Sequence, residues 1–312
     1  MDEYKKFGVS DILMLLAIGL WAVNFSFVKV ALRELSPMGF NGIRLAFASL
    51  LLVSFLAISR ENFSVTKGDM WKLMFVGIVG NTVYQLLFIH GIYATTASNT
   101  AIIIAITPVF IALLSSILKH ERLNWAAWAG ILFSFIGFYL VVAKQSGSLS
   151  FVGEGIKGDL MIFVGTLCWA VYTVFSKPLL QKYSALKLTT ITMVFGTVFF
   201  LPFSLADMIR LPYGQISLEA WGSLGFSGLF ALAVCYVIWY TSVRRVGNSR
   251  TAIYDNLVPI ATVIFAYFII DERITFLQAM GTVIILGGVY LTRSGYRFFE
   301  KKRVIDSKRK NS

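Results

Sequence analysis

The sequence predicts an all-α polytopic membrane protein whose ten transmembrane helices form two inverted five-helix repeats. Three observations support this prediction: the composition, the number of long apolar segments, and a pattern that occurs twice. The 312 residues are 57% hydrophobic and only 14% charged, whereas soluble domains carry roughly 25% charged residues. Together with a mean hydropathy of +0.74, this composition indicates that lipid is the solvent for most of the chain.

The apolar segments are long enough to cross a membrane. A bilayer core about 30 Å thick requires roughly 20 apolar residues per helix, and ten such segments follow one another with short polar connections. The first is too long for a cleavable signal peptide and follows a leader that carries acidic residues, so we expect it to be retained as a helix. The predicted helices are 11–32, 38–58, 70–92, 96–118, 124–143, 158–177, 185–206, 220–242, 250–270 and 275–294.

The 28 Lys and Arg residues are unevenly distributed between the two sides of the predicted bundle. Most of them lie on the side of both termini, and basic connections face the cytoplasm. We therefore expect a cytoplasmic segment at 1–10, an external linker at 144–157 and a basic cytoplasmic tail at 295–312. The net charge of +12 then reflects topology and attraction to anionic lipid, and we expect no nucleic-acid partner.

The same pattern of residues occurs in both halves of the chain. Shifts of 148 and then 151 positions align it, and the order of the matching residues is kept. This indicates a duplication in which 11–143 and 158–294 are equivalent. Because five is an odd number, the second copy enters the membrane from the opposite side, which is typical of secondary transporters. Matching pairs include Asp11 and Asp159, Trp21 and Trp169, Lys29 and Lys177, Pro108 and Pro259, and Glu121 and Glu272.

The duplicated pattern resembles the EamA-type transporters of the drug/metabolite transporter superfamily. The second half departs from it, with Tyr172 at the position of Asn24, Ala185 at that of Pro37 and Thr192 at that of Arg44. The resemblance implies an inner (plasma) membrane carrier for a small organic metabolite, with efflux of an amino acid or related compound as the expected activity. The residues that carry it are Trp21, Asn24, Phe25, Lys29, Pro37, Arg44, Pro108, Glu121, Arg122, Gly130 and Gly137, and Trp169, Lys177, Pro259, Glu272, Arg273, Gly281 and Gly287.

Two ionisable residues, Arg44 and Asp255, lie well inside predicted spans. Such groups face the bundle interior or water and indicate a functional site. At 1.5 Å per residue their depths in the membrane differ by about 10 Å, so we expect no static ion pair between them. Asp255, whose counterpart is Ile104, is a candidate for substrate binding or proton coupling, while Arg44 is a candidate for substrate binding or for structural pairing.

Neutral polar and aromatic residues supply the other candidates for substrate binding. Asn81, Tyr84 and Gln85 share one face of the third helix. Amides and phenols beside aromatic rings suit a zwitterionic or aromatic solute, although they also serve as hydrogen-bonding contacts between helices and as interfacial aromatics. The full set is Trp21, Asn24, Arg44, Asn81, Tyr84, Gln85, Trp169, Tyr172, Tyr236, Trp239, Tyr240, Tyr254 and Asn256.

Paired residues in the two halves provide candidates for gating and coupling. Lys29 and Lys177 join Asp255 in this group, as do Pro108 and Pro259, each of which we expect to kink its helix. Glycines spaced seven apart in the fifth and tenth helices predict close packing of those helices, or contact between two copies in a homodimer; they are Gly130, Gly137, Gly281 and Gly288.

Three other functions compete with efflux. An uptake carrier for a sugar or carboxylate would use Arg44 and Lys29 to attract an anion. An intramembrane enzyme would need a nucleophile–base pair or metal ligands, yet the two histidines, His90 and His120, have no such spacing. A receptor would use Lys177 as a Schiff base, but its duplication at Lys29 argues against this. We expect no metal, no cofactor and no partners besides a small solute, the bilayer and, as an alternative, a second copy.

Overall fold

The computed structural model describes residues 9–118, 125–143, 154–252 and 254–292. Seven of its helices are long and apolar enough to cross a membrane. Three further apolar helices, at residues 125–143, 254–270 and 276–292, are shorter. The predicted tail at 295–312 and the Glu121–Arg122 turn lie outside the described residues, as do most of segments 1–10 and 144–157. The helices are α1 (Val9–Ala31), α2 (Pro37–Ile58), α3 (Lys67–Ala94), α4 (Ala97–Ile117), α5 (Trp125–Ala143), α6 (Glu154–Leu180), α7 (Ala185–Arg210), α8 (Leu218–Val246), α9 (Tyr254–Ile270) and α10 (Phe276–Thr292).

Side-chain caps define where several helices begin. The hydroxyl of Ser36 accepts a hydrogen bond from the Gly39 amide at the start of α2, and that of Ser184 accepts one from the Lys187 amide at the start of α7. These caps satisfy amide groups that a helix N-terminus leaves without a partner. The two serines occupy equivalent positions in the two halves of the sequence, so the duplication extends to the local signals that start a helix.

Two helices contain π-helical segments that the sequence did not predict. Residues Ile78–Val83 form one within α3, and Ser227–Val234 form the other within α8. Short π-helical insertions in α-helices are rare, and those that occur are frequently found at functional sites. Because the two segments occur at corresponding places in the two halves, they mark α3 and α8 as a related pair.

The helices that contain Pro108 and Pro259 are broken rather than kinked. In α4, the part Ala97–Ile104 ends before a new helix begins at Thr107. In α9, a 3₁₀ turn over Tyr254–Leu257 precedes the helix Val258–Ile270. Each proline therefore stands in the first turn of a new helix, where its missing N–H has no helical partner to lose. The expected kinks are corrected to interruptions that lie before the prolines.

Equivalent helices of the two halves pack against each other in antiparallel fashion. In the α2–α7 pair, Gly42 faces Ser204 while the Ser49 and Thr197 hydroxyls are 2.7 Å apart, so the residue numbers rise along one helix as they fall along the other. In the α5–α10 pair, which is also antiparallel, Gly130 faces Gly288.

The remaining contacts between the halves are reciprocal. Helix α1 packs against α8 and α9, and its equivalent α6 packs against α3 and α4. The contact of α1 with α8 is antiparallel, because Cys235 lies by the Ala17 carbonyl and Ala231 by Trp21. Each half therefore presents the same helices to the other, and the interface between them runs through the middle of the molecule.

Polar contacts between the halves also occur beyond each end of α2, and they use residues of opposite charge. Beyond its N-terminal end, the Glu34 carboxylate accepts hydrogen bonds from the Ser217 amide and hydroxyl, which lower the pKa of the Glu34 carboxyl. Beyond its C-terminal end, Lys182 donates to Asp69 at 2.9 Å, and this carboxylate raises the pKa of the Lys182 ammonium. Glu34 and Lys182 occupy equivalent positions, just after α1 and just after α6. Each contacts the start of a helix in the other half, but the two residues carry opposite charges.

The close approach of α5 and α10 yields a test with an adjacent control. A Cβ on Gly288 would lie 2.5 Å from the Gly130 carbonyl oxygen and 2.6 Å from the Ser134 amide nitrogen, whereas a Cβ on Gly287 would meet nothing within 4 Å. Because backbone atoms cannot move aside, we expect Gly288→Ala to destabilise the protein by about 1–3 kcal/mol. Gly287→Ala should be neutral or slightly stabilising. Thermal unfolding of the purified variants measures the difference; equal melting temperatures would contradict the packing.

Candidate functional site

A cavity of about 60 Å³ lies at the interface between the two halves. It is bordered by α1, α2 and α3, by the interruptions of α4 and α9, and by α6 and α8. Its wall contains eight of the residues that the sequence predicted for substrate binding or coupling: Trp21, Asn24, Arg44, Tyr84, Gln85, Trp169, Tyr236 and Asp255.

Arg44 is buried in this wall without an acidic partner among the described residues. Its side chain is 1% exposed, and its Nη1 and Nη2 donate to the Ser227 hydroxyl at 2.9 Å and to Gln85 Oε1 at 2.5 Å. The guanidinium also lies 5.3 Å from the Phe40 ring centroid and 5.6 Å from that of Phe88, within range of a cation–π interaction. Neutral groups thus hold Arg44 in place, while its Nε has no hydrogen-bond partner.

Gln85 links the two halves beside Arg44. Its Nε2 donates to the Tyr236 hydroxyl at 3.0 Å, and these two residues occupy equivalent positions in the two halves. The Asn41 side chain donates to the Gln85 carbonyl at 3.1 Å. Each polar group of Gln85 is therefore committed to a defined neighbour, which fixes the amide and, through it, the guanidinium of Arg44.

Asp255 is the other ionisable residue of the cavity wall. It lies in the 3₁₀ turn before α9 and is 3% exposed, and its Oδ2 has no hydrogen-bond partner in the described structure. It forms no ion pair with Arg44 within the described residues, yet both border the same cavity. A buried carboxylate oxygen without a hydrogen-bond partner is costly, so Asp255 is a candidate contact for a bound group.

Aromatic rings form the apolar side of the cavity. Trp21 and Trp169, which are equivalent residues, meet edge to face with their ring centroids 6.3 Å apart. Trp169 is also 4.9 Å from the Tyr236 ring and 5.5 Å from that of Tyr84. The Trp21 Nε1 donates to the Ala231 carbonyl in the π-helical segment of α8 at 2.9 Å. This bond fixes the Trp21 ring in the aromatic part of the wall.

The structure does not place the other predicted residues in the cavity wall. The Tyr172 hydroxyl contacts Thr192 at 2.6 Å, and the Tyr254 hydroxyl donates to Asp11. Lys177 is exposed, whereas Lys29 donates to the Ile92 and Thr95 carbonyls. The residues outside the wall are Asn81, Tyr172, Trp239, Tyr240, Tyr254, Asn256, Lys29, Lys177, Pro108 and Pro259.

Sequence reasoning missed several residues of the wall. Ile104 is the counterpart of Asp255, and Thr107 and Val258 flank the two prolines, so the duplication carried a signal for these three positions. Ala231 and Leu232 belong to the π-helical segment of α8, which no sequence pattern revealed. The missed set is Phe25, Phe88, Ile104, Thr107, Thr166, Ala231, Leu232 and Val258.

A polar network lies at one end of the bundle. Asp159, the equivalent of Asp11, accepts hydrogen bonds from the Thr95 hydroxyl and the Asn99 amide, and the Asn99 oxygen accepts one from Gln278 at 2.6 Å. The Glu272 carboxylate accepts bonds from two amides at the start of α4. The network thereby joins helices from both halves across the end where α3 ends and α6 begins.

Comparison with known proteins relates this architecture to membrane transporters. A model described as the EamA-like transporter family matches residues 8–143 and again 156–294. An uncharacterized transporter of Archaeoglobus fulgidus is 33% identical over 91% of this chain and 96% of its own length. A probable terminal-alkyne amino-acid exporter of Streptantibioticus cattleyicolor is 28% identical over 89% of this chain and 91% of its own. One solved crystal structure shares the fold, with a TM-score of 0.68 and 17% identity over 93% of this chain and 98% of that one.

The unequal surroundings of the two equivalent lysines yield a stability test. Lys29 donates to carbonyls at the C-terminal end of α3, whereas Lys177 is exposed and makes no such bond with the described residues. We expect Lys29→Met to destabilise the protein by about 1–3 kcal/mol because it leaves these carbonyls without a donor. Lys177→Met should change stability by less than about 0.5 kcal/mol. Thermal unfolding compares the two, and an equal loss would show that the carbonyl contacts are unimportant.

Proposed function

The chain belongs to the EamA-like transporter family, and on this basis we propose that it is a secondary active transporter that exports a small organic metabolite, an amino acid or related compound. The protein is a multi-pass membrane protein, and its family and relatives are transporters rather than enzymes. The observation that carries the proposal is the cavity between the two halves, because its wall combines aromatic rings with two ionisable residues, Arg44 and Asp255, that each have one polar atom without a hydrogen-bond partner among the described residues.

The proposed mechanism is alternating access between two inverted five-helix repeats, 11–143 and 158–294, with ten membrane spans. The antiparallel α2–α7 and α5–α10 contacts support this arrangement, since parallel repeats would bring equivalent helices together in the same direction. Contacts between equivalent residues, such as Trp21 with Trp169 and Ser49 with Thr197, support a two-fold axis through the cavity. Inverted repeats of this kind bind their substrate between the halves, near the midplane.

The size of the cavity favours a closed state as the one described. A volume of about 60 Å³ is well below the roughly 300–1,000 Å³ of pockets that hold small-molecule ligands. Admission of a solute therefore requires the halves to separate on one side. The interruptions of α4 and α9 border the cavity, and discontinuous helices of this kind are typical of transporter binding sites.

We further propose that the protein resides in the inner (plasma) membrane with both termini in the cytoplasm. The asymmetry of Lys and Arg between the two sides supports this orientation, which places the Asp159 network at the external end. The glycines of α5 and α10 contact each other within one chain, so a homodimer would have to use another surface.

Uptake of a sugar or carboxylate is the alternative direction and cargo. It would use Arg44 and Lys29 to attract an anion from outside. Arg44 borders the cavity, but Lys29 donates to backbone carbonyls of α3 and the segment that follows it instead, which leaves the anion with a single cationic contact.

The direction of transport is tested with membrane vesicles of both orientations. Export predicts that inverted vesicles accumulate a labelled amino acid when a proton gradient is imposed, and that right-side-out vesicles release it. Vesicles that carry Trp169→Ala, at the centre of the aromatic wall, should show a large loss of this flux. Accumulation only in right-side-out vesicles would contradict export and favour uptake.

A role in transport or coupling for Asp255 predicts that Asp255→Asn lowers flux while the protein remains abundant in the membrane. The amide keeps the size of the side chain but can neither carry the negative charge nor exchange a proton. Flux measured over a range of pH, with abundance measured by immunoblotting, tests this expectation. Flux at the wild-type level throughout that range would eliminate Asp255 from transport and coupling.

A further inference from the structure

We propose that the central cavity recognises a zwitterion through two separate charges, with Arg44 binding a carboxylate and Asp255 binding an ammonium group. This inference rests on the proposed function of the cavity and specifies the chemistry of its substrate. It requires both charges to be on one small molecule, and so excludes sugars, simple amines and simple carboxylates as the preferred cargo.

The first support is that both charges are buried and incompletely satisfied. Arg44 is 1% exposed and Asp255 is 3% exposed, yet no ion pair joins them and neither has an oppositely charged partner among the described residues. Buried charges are normally paired, because removing them from water is costly. Two ionisable groups of opposite type that border the same cavity without meeting offer a partner to each charge of one molecule.

The second support is the kind of atom that lacks a partner on each side. On the cationic side the orphan atom is Nε of Arg44, a donor, while Nη1 and Nη2 are held by neutral oxygens. A carboxylate would supply an acceptor to this donor and a counter-charge to the guanidinium. The neutral contacts with Ser227 and Gln85 orient the group without neutralising it.

On the anionic side the orphan atoms are acceptors. Asp255 Oδ2 has no hydrogen-bond partner, and neither does Oδ1 of Asn24, which is 4% exposed and also borders the cavity. An ammonium group carries three N–H donors, so it can satisfy both oxygens. A sugar hydroxyl would offer no charge to balance Asp255.

The third support is the aromatic wall that lies beside the two charges. Trp21, Phe25, Phe88 and Trp169 border the same cavity, and apolar surroundings of this kind accept an apolar substituent. The Arg44 guanidinium lies 5.6 Å from the Phe88 ring centroid, so the charged and aromatic parts of the wall are close together. The arrangement fits an α-amino acid with an apolar side chain.

Deletion of one charge at a time from the ligand tests the proposal. The probes are leucine and phenylalanine, each with two analogues. For leucine, isocaproate lacks the amino group and isoamylamine lacks the carboxylate. For phenylalanine, hydrocinnamate lacks the amino group and phenethylamine lacks the carboxylate. Calorimetry on the purified wild-type protein should show that at least one amino acid binds at least about tenfold more tightly than both of its analogues, since each loses a charge-assisted hydrogen bond. An analogue that binds as tightly as its parent, or the absence of binding by either amino acid, would overturn the proposal.

Deletion of the matching charge from the protein assigns each residue its role. In Arg44→Gln, the preference for the amino acid over its amine analogue should fall to about unity, while the preference over the carboxylate analogue persists. In Asp255→Asn, the preference for the amino acid over its carboxylate analogue should fall to about unity, while the preference over the amine analogue persists. Arg44→Lys and Asp255→Glu should retain part of the lost preference, and Arg210→Gln and Glu219→Gln, which remove exposed charges, should behave as wild type. Preferences that do not change in either variant would contradict the assignment.

Different results would rule out the zwitterion site alone and the transport function as a whole. A protein that transports a sugar or a singly charged compound through this cavity, and binds neither amino acid, would retain its transport function but would have no zwitterion site. A protein that transports none of these compounds in vesicles of either orientation would lose both. The wild-type ligand series needs no variant, so it decides the matter even if the Arg44 and Asp255 variants do not fold.

Discussion

The requirement that backbone polar groups find partners inside the protein governs this architecture. In lipid, an unpaired amide or carbonyl is costly, so irregular backbone at membrane depth is tolerated only where it is buried in protein or borders a cavity. The breaks in α4 and α9 and the π-helical segments of α3 and α8 are therefore confined to the interface between the halves. Residues at the breaks of α4 and α9 and in the π-helical segment of α8 border the cavity, so part of its wall is made of interrupted helix.

The sequence located the apolar helices to within a few residues, because such a segment must be long enough to cross the membrane. Only seven of the ten predicted spans have that length in the described structure, and α5, α9 and α10 are shorter. Segment 185–206 corresponds to α7, Ala185–Arg210, and segment 38–58 to α2, Pro37–Ile58. The interruption before Pro108 was placed less well, because a proline can bend a helix or stand at the start of a new one. Only tertiary contacts decide between these outcomes.

The duplication was a useful but incomplete guide to the site. It identified Trp21 and Trp169, whose rings meet in the cavity wall. It could not reveal that Asn24 would border the cavity while its counterpart Tyr172 would bond to Thr192 instead, since that difference depends on which side chains fill the second half. Arg44 and Asp255 were recognised because charge inside a span is rare, and Gln85 because it lies on a polar helix face, but Ser227, which accepts a hydrogen bond from Arg44, was not predicted. The two halves thus share a fold and differ in chemistry, which allows a single asymmetric site.

Access to the cavity from both faces of the membrane tests the central claim most directly. With Cys168 and Cys235 replaced by alanine, a single cysteine at Thr166, a residue of the cavity wall, can be exposed to a membrane-impermeant maleimide in right-side-out and in inverted vesicles. Alternating access predicts labelling in both orientations, at rates that change when a transported solute is added. Labelling from one face only, whatever solute or gradient is applied, would contradict a carrier that opens its centre to each side in turn.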